Sequence, residues 1–329
     1  MRNARMLSVG AFAPEKVVPN SYFNELLGED VDSWLQENVQ IYERRWCSEE
    51  ESTADLCVNA ARQALERAGI SAGQLDLLIV ATDTPEYISP STAAVVQYRL
   101  GAKKAGAFDV NTACAGFATA LDMGAKYLMA DAQYEYVLII GAYAMSKYLN
   151  LQDKKTVTLF ADGAGAVLLG VEKADSPGFL GSQLITEGQY HDYMGIYAGG
   201  TRYPINEQRL SQKEHLLRFV HKFPKELNPE RWTGMVHTLC HRLDIQAGDI
   251  DHFFITQINI NSIWETMDLL GVDRRKAHTV MHHYGYTGSA CIPMALNDAW
   301  EKGKIQRGDL IFFIGSGGGL AFAAAAFRF

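Results

Sequence analysis

The chain repeats itself, and this narrows its fold more than any other feature. Displaced by 175 residues, segment 64–81 (ALERAGISAGQLDLLIVA) falls on 239–256 (LCHRLDIQAGDIDHFFIT). Five of the 18 positions are identical: Arg67 on Arg242, Ile70 on Ile245, Ala72 on Ala247, Gly73 on Gly248 and Asp76 on Asp251. Apolar positions after Asp76 match as well, with Leu78, Ile79 and Val80 falling on Phe253, Phe254 and Ile255. At the same displacement Asn111-Thr112 falls on Tyr286-Thr287, and at 174 residues 137–141 fall on 311–315. An ordered series of matches indicates duplication of one helix–turn–strand unit. The expected halves are 1–172 and 173–329, meeting in the polar, Pro- and Gly-containing stretch 172–178. No flexible linker separates them, so the two halves are expected to share one packed system of sheets.

Short apolar, β-rich runs occur at 75–82, 107–110, 136–142, 164–171, 252–256 and 310–315. Helical periodicity fills the gaps at 53–68, 91–100, 114–129, 232–243, 259–270 and 292–302. Buried strands alternating with helices of this length predict a layered α/β fold. The balance of 48% hydrophobic and 21% charged residues is that of an ordinary globular chain and excludes a disordered or collagen-like one. No apolar run approaches the 18 or so residues of a membrane span, and the N-terminus does not read as a signal peptide. Five cysteines in 329 residues, without CxxC or Cys/His metal spacing, predict a protein of the reducing cytoplasm with no metal site. A net charge of −8 argues against nucleic acid as a partner. An acidic partner would need a local basic patch. Lys213, Arg218, Lys222 and Lys225 offer one, either as a carrier-protein dock or as a solvated helix face.

Chemistry in such a fold gathers where strand ends meet helix starts. In FDVNTACAGF (108–117) a short strand gives way to small residues, and Cys114 stands where a helix begins. Free N–H groups and the positive end of the helix dipole favour a thiolate there. Ala113, Ala115 and Gly116 leave room for a substrate. A buried packing cysteine is the commoner fate of the residue type, so position alone leaves both roles open. Cys57, Cys240 and Cys291 fall within helical patterns and read as packing. Near the C-terminus Gly317-Gly318-Gly319 follows a strand. The glycines can present backbone N–H groups to an oxyanion, or simply turn the chain between two strands.

FDVNTACAGF, FADGAGAVLL (160–169), YGYTGSACIPMAL (284–296) and the GGG-to-RF ending together resemble the β-ketoacyl-ACP synthase III family, the condensing-enzyme branch of the thiolase superfamily. The resemblance runs from Met6 to Phe329. It implies a thiolase-like five-layered αβαβα fold from two duplicated halves, and a homodimer. It implies that Cys114 takes an acyl group as a thioester, with the N–H groups of Cys114 and Gly318 as oxyanion hole. Typical members then condense the acyl group with malonyl-ACP. CoA or phosphopantetheine thioesters are substrates, so no separate cofactor is expected. Trp34 keeps the position of a tryptophan that flanks the CoA adenine.

The departures bear on mechanism. The P-H-Q-A-N segment of the family reads Ile255-Thr256-Gln257-Ile258-Asn259, which puts Thr256 at the His position. The G-N-T-S segment reads Gly285-Tyr286-Thr287-Gly288, which puts Tyr286 at the Asn position. An Arg linked to carrier-protein binding is Asn261 here, and a CoA-contacting Arg is Tyr42. Candidates for a substitute base are Asp83, near where the related HMG-CoA synthases place a catalytic Glu, and His283, with His282 beside it in the loop before Tyr286. His252, at the start of its strand, is too far from the strand's end. The reading that follows is an enzyme that loads an acyl group from acyl-CoA or acyl-ACP onto Cys114 and passes it to an acceptor, in fatty-acid- or polyketide-type biosynthesis. The alternatives are a decarboxylative 3-oxoacyl-ACP synthase III with a substitute base, and a non-catalytic partner subunit of a ketosynthase heterodimer.

Overall fold

The computed structural model describes residues 2–173 and 178–329, so the expected junction at 172–178 lies partly outside the described residues. The first sheet has five strands: β1 (Arg2–Phe12), β2 (Leu77–Ala81), β3 (Gly106–Val110), β4 (Tyr136–Ala144) and β5 (Asp162–Lys173), in the order β1-β5-β4-β2-β3. β2 runs parallel to β3 and β4, while β5 is antiparallel to β4 and β1. The second sheet holds β6 (Phe179–Thr186), β7 (His252–Ile255), β8 (Leu310–Gly317) and β9 (Ala321–Arg328), in the order β7-β8-β9-β6. Here β7 is parallel to β8, and β9 is antiparallel to β8 and β6. The second sheet thus retraces four of the five strands of the first, in the same order and directions, and lacks a counterpart of β3. The missing edge strand survives as one bridge, Phe253 to Ala277.

Helices α1 (Thr53–Ala68) and α2 (Thr92–Leu100) cover the outer face of the first sheet. Helix α3 (Gly116–Ala130) lies between the sheets, touching β1, β2 and β4 on one side and β8 and β9 on the other. Helices α4 (Leu227–Leu243) and α5 (Ile260–Leu269) form the outer layer of the second sheet, and α6 (Cys291–Glu301) returns to the middle layer. This is the five-layered αβαβα fold of two duplicated halves. Strands covered on both faces read as unbroken apolar runs, and β2 (LLIVA) is buried at every position. Helix α1 is bounded by local chemistry. A capping box joins Ser52 to Asp55, and Gly69 closes the end at φ 66°.

The repeat has a structural meaning at Asp76 and Asp251. Asp76 exchanges backbone hydrogen bonds with the start of β4, its N–H donating to Tyr136 C=O, and its Oδ2 accepts from Tyr136 N–H at 3.0 Å. Asp251 does the same at β8, its N–H donating to Leu310 C=O and its Oδ2 accepting from Leu310 N–H at 2.8 Å. Each aspartate fixes the register of a parallel strand pair.

Three strands were not expected from the sequence: β1, β6 and β9. β9 is buried along nearly its whole length and reads AFAAAAFR, so it lacks polar/apolar alternation, whereas β6 is an edge strand whose apolar Leu184 is exposed. Helix α3 begins at Gly116, so Cys114 precedes the helix instead of opening it. No helix among the described residues is long and apolar enough to cross a membrane, and no group of three or more metal-binding side chains occurs among them.

Candidate active site

Cys114 sits in a tight turn between β3 and α3. Ala115 N–H donates to Thr112 C=O and Gly116 N–H to Ala113 C=O, while Ala113 is held at φ 46°, a region that side chains other than glycine seldom adopt. The turn presses on β8 from the second half. A Cβ on Gly317 would lie 2.3 Å from the Cys114 nitrogen, and one on Gly315 would lie 2.8 Å from the Ala115 Cα. Both glycines are therefore packing requirements of the nucleophile turn. Ser289 fastens the site from above, its hydroxyl within 2.9 Å of Ala81 C=O and 2.8 Å of Ala142 C=O, at the ends of β2 and β4.

Cys114 opens onto a small, mainly apolar cavity of about 80 Å³ whose walls include Phe219, Phe223, Leu227, Ile258, Tyr286 and Gly318. Gly318 thus shares the cavity of Cys114. The Tyr286 hydroxyl lies beside the Cys114 sulfur and favours its thiolate. The tyrosine is itself buried, its ring packed against Phe160 at 5.3 Å between centroids and Tyr143 at 6.5 Å. Its main-chain N–H and C=O pair with Leu159 and Ala161, which fixes the ring over the thiol.

Expectation and structure part on acidity. The helix start predicts a depressed thiol pKa, yet burial drives the Cys114 pKa upward, and the nearby Asp83 carboxylate adds to the rise. The Tyr286 hydroxyl opposes both without overcoming them. The dipole contribution is small because Cys114 lies outside the first turn of α3, while desolvation acts on the whole charge. Alkylation of Cys114 by iodoacetamide should therefore be slow at pH 7 and rise steeply with pH. Tyr286→Phe removes a donor to the thiolate, so it should slow alkylation further at a given pH. Rate–pH profiles with peptide mapping check this; unchanged or faster labelling in the variant would refute the hydroxyl's role.

Thr256 is fully buried and does not line the cavity. Its Oγ1 accepts from Ser316 N–H at 2.9 Å and lies 3.4 Å from Ser316 C=O. The hydroxyl at the family His position thus closes a backbone contact between β7 and β8. His283 is misassigned as a substitute base. Its side chain is exposed and lies 3.8 Å from the Glu43 carboxylate, while His282 is half-buried, held against His283 and influenced by Lys302 and Asp298. Neither histidine lines the cavity of Cys114. The loop carries them outward because Met281, not a histidine, fills the buried position before Tyr286.

Asp83 is a different case. It lines a second cavity, of about 260 Å³, on the far side of Gly318 and Met194. Burial raises its carboxyl to about pKa 6, and Oδ1 is sealed from solvent without a hydrogen-bond partner. Trp34 is 55% exposed and lines a separate surface cavity of about 350 Å³ with Lys154 and Lys155. The basic segment 213–225 is not a helix face. It is mostly turns around a two-residue strand, Arg218–Phe219, and Lys213 is engaged by Gln152 at 2.7 Å.

The sequence profile of 3-oxoacyl-[acyl-carrier-protein (ACP)] synthase III matches residues 108–188, and that of its C-terminal domain matches 240–329. A β-ketoacyl-[acyl-carrier-protein] synthase III of Clostridium perfringens is 36% identical, with 100% of each chain covered. The chain belongs to the β-ketoacyl-ACP synthase III family. It is thus a condensing or acyl-transferring enzyme of the thiolase superfamily. An acetoacetyl-CoA synthase of Streptomyces sp. is 36% identical over 98% of this chain and 97% of that one. The crystal structure of 3-oxoacyl-[acyl-carrier-protein] synthase III from Aquifex aeolicus superposes with a TM-score of 0.89 at 29% identity, covering 99% of this chain and 100% of that chain.

Proposed function

We propose that this family member is an acyl-transfer enzyme in which Cys114 takes an acyl group from an acyl-CoA or acyl carrier protein thioester and hands it to an acceptor, without efficient malonyl decarboxylation. The Cys114 sulfur attacks the thioester carbonyl, the bond to the CoA sulfur breaks, and the thiol proton ends on the departing thiol. The N–H groups of Cys114 and Gly318 receive the oxyanion. The observation that carries this reading is the pair of replacements at the site: the Tyr286 side chain stands beside Cys114 in the cavity wall, and the Thr256 hydroxyl is committed to Ser316. Loading needs neither the family's His nor its Asn; decarboxylation uses both. The acceptor stage belongs to fatty-acid- or polyketide-type biosynthesis.

Trp34, with Lys155, is assigned to the adenine and phosphate end of CoA. Lys154 is paired with Glu29 at 3.0 Å and Glu29 and Asp30 share the cavity wall, so the exposed indole suits the base and Lys155 is the ammonium offered to the phosphates. The two halves are taken as 1–172 and 173–329, and the site of action as the cytoplasm, in keeping with five free cysteines. We further propose a homodimer. Tyr87 and Ile88 stand 54% and 85% exposed at the tip of the loop after β2, an apolar pair suited to a partner surface. Light scattering at micromolar concentration should give twice the 36.4 kDa chain mass, and a stable monomer would overturn this.

The main test is intact-protein and peptide mass spectrometry after mixing with a panel of acyl-CoAs. An adduct on Cys114, and on no other cysteine, is expected. Absence of any Cys114 adduct, combined with stable association with a second ketosynthase-like chain, would establish the partner-subunit reading instead. Decarboxylative condensation is the other alternative, favoured by the names of the relatives and tested by CO2 release.

A further inference from the structure

Two cavities flank the Cys114 turn, and they differ in character. The first is walled mainly by apolar side chains. The second carries five polar ones, Asp83, Asn111, Tyr143, His191 and Tyr197. The cavities share Met194 and Gly318, and Ala113, next to the nucleophile, lines the second. Two of the five polar side chains end in buried atoms that lack any hydrogen-bond partner: Asp83 Oδ1 and the Tyr197 hydroxyl. Nine buried side-chain polar atoms among the described residues lack a hydrogen-bond partner, and two of the nine belong to the lining of this one cavity, where a ligand's own groups would complete them. The carboxyl torsion of an aspartate is broad, so Asp83 can turn an oxygen into the cavity at little cost.

The direction of substrate entry follows from the first cavity. Ile258 is in its wall, and in the next turn Asn261 donates its side-chain N–H to Asn38 C=O at 2.7 Å. Asn38 ends the short helix Asp32–Asn38 that carries Trp34. The first cavity therefore faces the Trp34 side, from which a CoA arm arrives. Gly318 and Met194 line both cavities, so an acyl chain attached to Cys114 and directed away from that arm would pass Gly318 to reach the second.

We infer that the second cavity selects a short acyl group bearing a hydrogen-bond donor, a hydroxyl or an ammonium, which pairs with Asp83. This rests on the acyl-transfer reading above and names its substrate class. A plain alkyl chain would leave the Asp83 oxygen and the Tyr197 hydroxyl unpaired and covered. Sites built to bond a substrate hydroxyl or amine discriminate strongly against the analogue that lacks it. Tyr197, as donor or acceptor, serves the remaining valence of a hydroxyl; an ammonium would draw on the charge of Asp83.

The experiment compares butyryl-, 3-hydroxybutyryl-, 4-hydroxybutyryl- and 3-aminobutyryl-CoA in single-turnover loading of the full-length protein. Calorimetric binding to the Cys114→Ser variant is measured in parallel. At least one donor-bearing acyl group should load and bind about a hundredfold or more in preference to butyryl. Asp83→Leu should abolish that preference. Asp83→Asn should keep it for a hydroxyl and lose it for an ammonium, and it changes the shape so little that folding is preserved. Butyryl loading as well as every donor-bearing chain, or a preference that survives Asp83→Leu, would overturn the inference. If no thioester labels Cys114 but the binding preference holds, the acyl-transfer reading fails while the cavity assignment stands. Labelling without preference has the opposite meaning.

Discussion

Gly317→Ala lowers the rate of Cys114 acylation by about a hundredfold or more and destabilises the protein by about 1–3 kcal/mol. The reason is local and geometric. The new methyl group would stand 2.3 Å from the Cys114 nitrogen, 2.9 Å from the Thr112 carbonyl oxygen and 2.9 Å from the Ala113 Cβ. Two of these three neighbours are backbone atoms, and the turn that holds them is already fixed at Ala113 with φ 46°. Neither side has a flexible side chain to move, so β8 and the nucleophile turn must separate. Separation shifts the Cys114 N–H and Gly318 relative to each other, and these are the two donors proposed for the oxyanion. A displacement near 1 Å is enough for a loss of this size. Gly73→Ala is the matched control, since a Cβ there meets no atom within 4 Å. Time-resolved intact mass with acetyl-CoA, beside thermal melts, gives both quantities. Near-normal loading in Gly317→Ala would show that the two strands can part without disturbing the thiol.

The repeat made the two sheets legible, because a sheet start marked by the same aspartate occurs twice, at Asp76 and Asp251. The turn that carries Cys114 was legible for a related reason: a strand end, a run of small residues and a helix lie together in sequence between Phe108 and Gly116. Most of the cavity wall was not. Met194, Phe219 and Phe223 come from a segment of turns and two-residue strands, Met194–Gly195 and Arg218–Phe219, which carries no helical or strand period. Tyr143 and Tyr197 gave no signal either, since one closes a strand of apolar neighbours and the other sits in a loop. The likeness to the family located Thr256 and Tyr286, but their roles depend on side-chain direction. Tyr286 points to Cys114, whereas Thr256 turns to the backbone of Ser316. Spacing cannot distinguish those outcomes. The same holds for His283, placed close to the site in sequence and turned toward Glu43 in space. The acidity of Cys114 was misjudged because the dipole is a local property of the sequence, whereas burial is assembled from both halves.

Malonyl thioesters should release CO2 at least about a hundredfold more slowly than Cys114 is acylated. Loss of carboxylate leaves an enolate whose oxygen needs hydrogen-bond donors, and a missing donor of this type costs about 2.7–4 kcal/mol, a factor of about 10²–10³. At the two family donor positions this chain has hydroxyls, so the question is whether either is free to reach the substrate. The Thr256 hydroxyl is closed within the contact to Ser316, accepting at 2.9 Å, and its side chain is absent from the cavity wall. Moving it would break a buried backbone contact. Tyr286 does line the cavity, but its hydroxyl lies beside the Cys114 sulfur and interacts with it. Once Cys114 carries an acyl group, that sulfur is a weaker acceptor and the hydroxyl is released, so one donor can return. The ring itself cannot withdraw, being wedged against Phe160 and Tyr143. It occupies volume in a cavity of only about 80 Å³, where a malonyl group would have to lie beside the acyl thioester. The net deficit is then at least one donor plus the crowding of the ring, and losses at a shared site do not simply add. Acylation meets none of these obstacles, since it uses the sulfur and the backbone N–H groups alone. Labelled CO2 from malonyl-CoA and malonyl-ACP, measured beside single-turnover acylation, decides the matter. If CO2 and a 3-oxoacyl product keep pace with acylation, a replacement for the lost donors exists. Asp83, titrating at about pKa 6 beside Gly318, is then the residue whose Asn variant should abolish it.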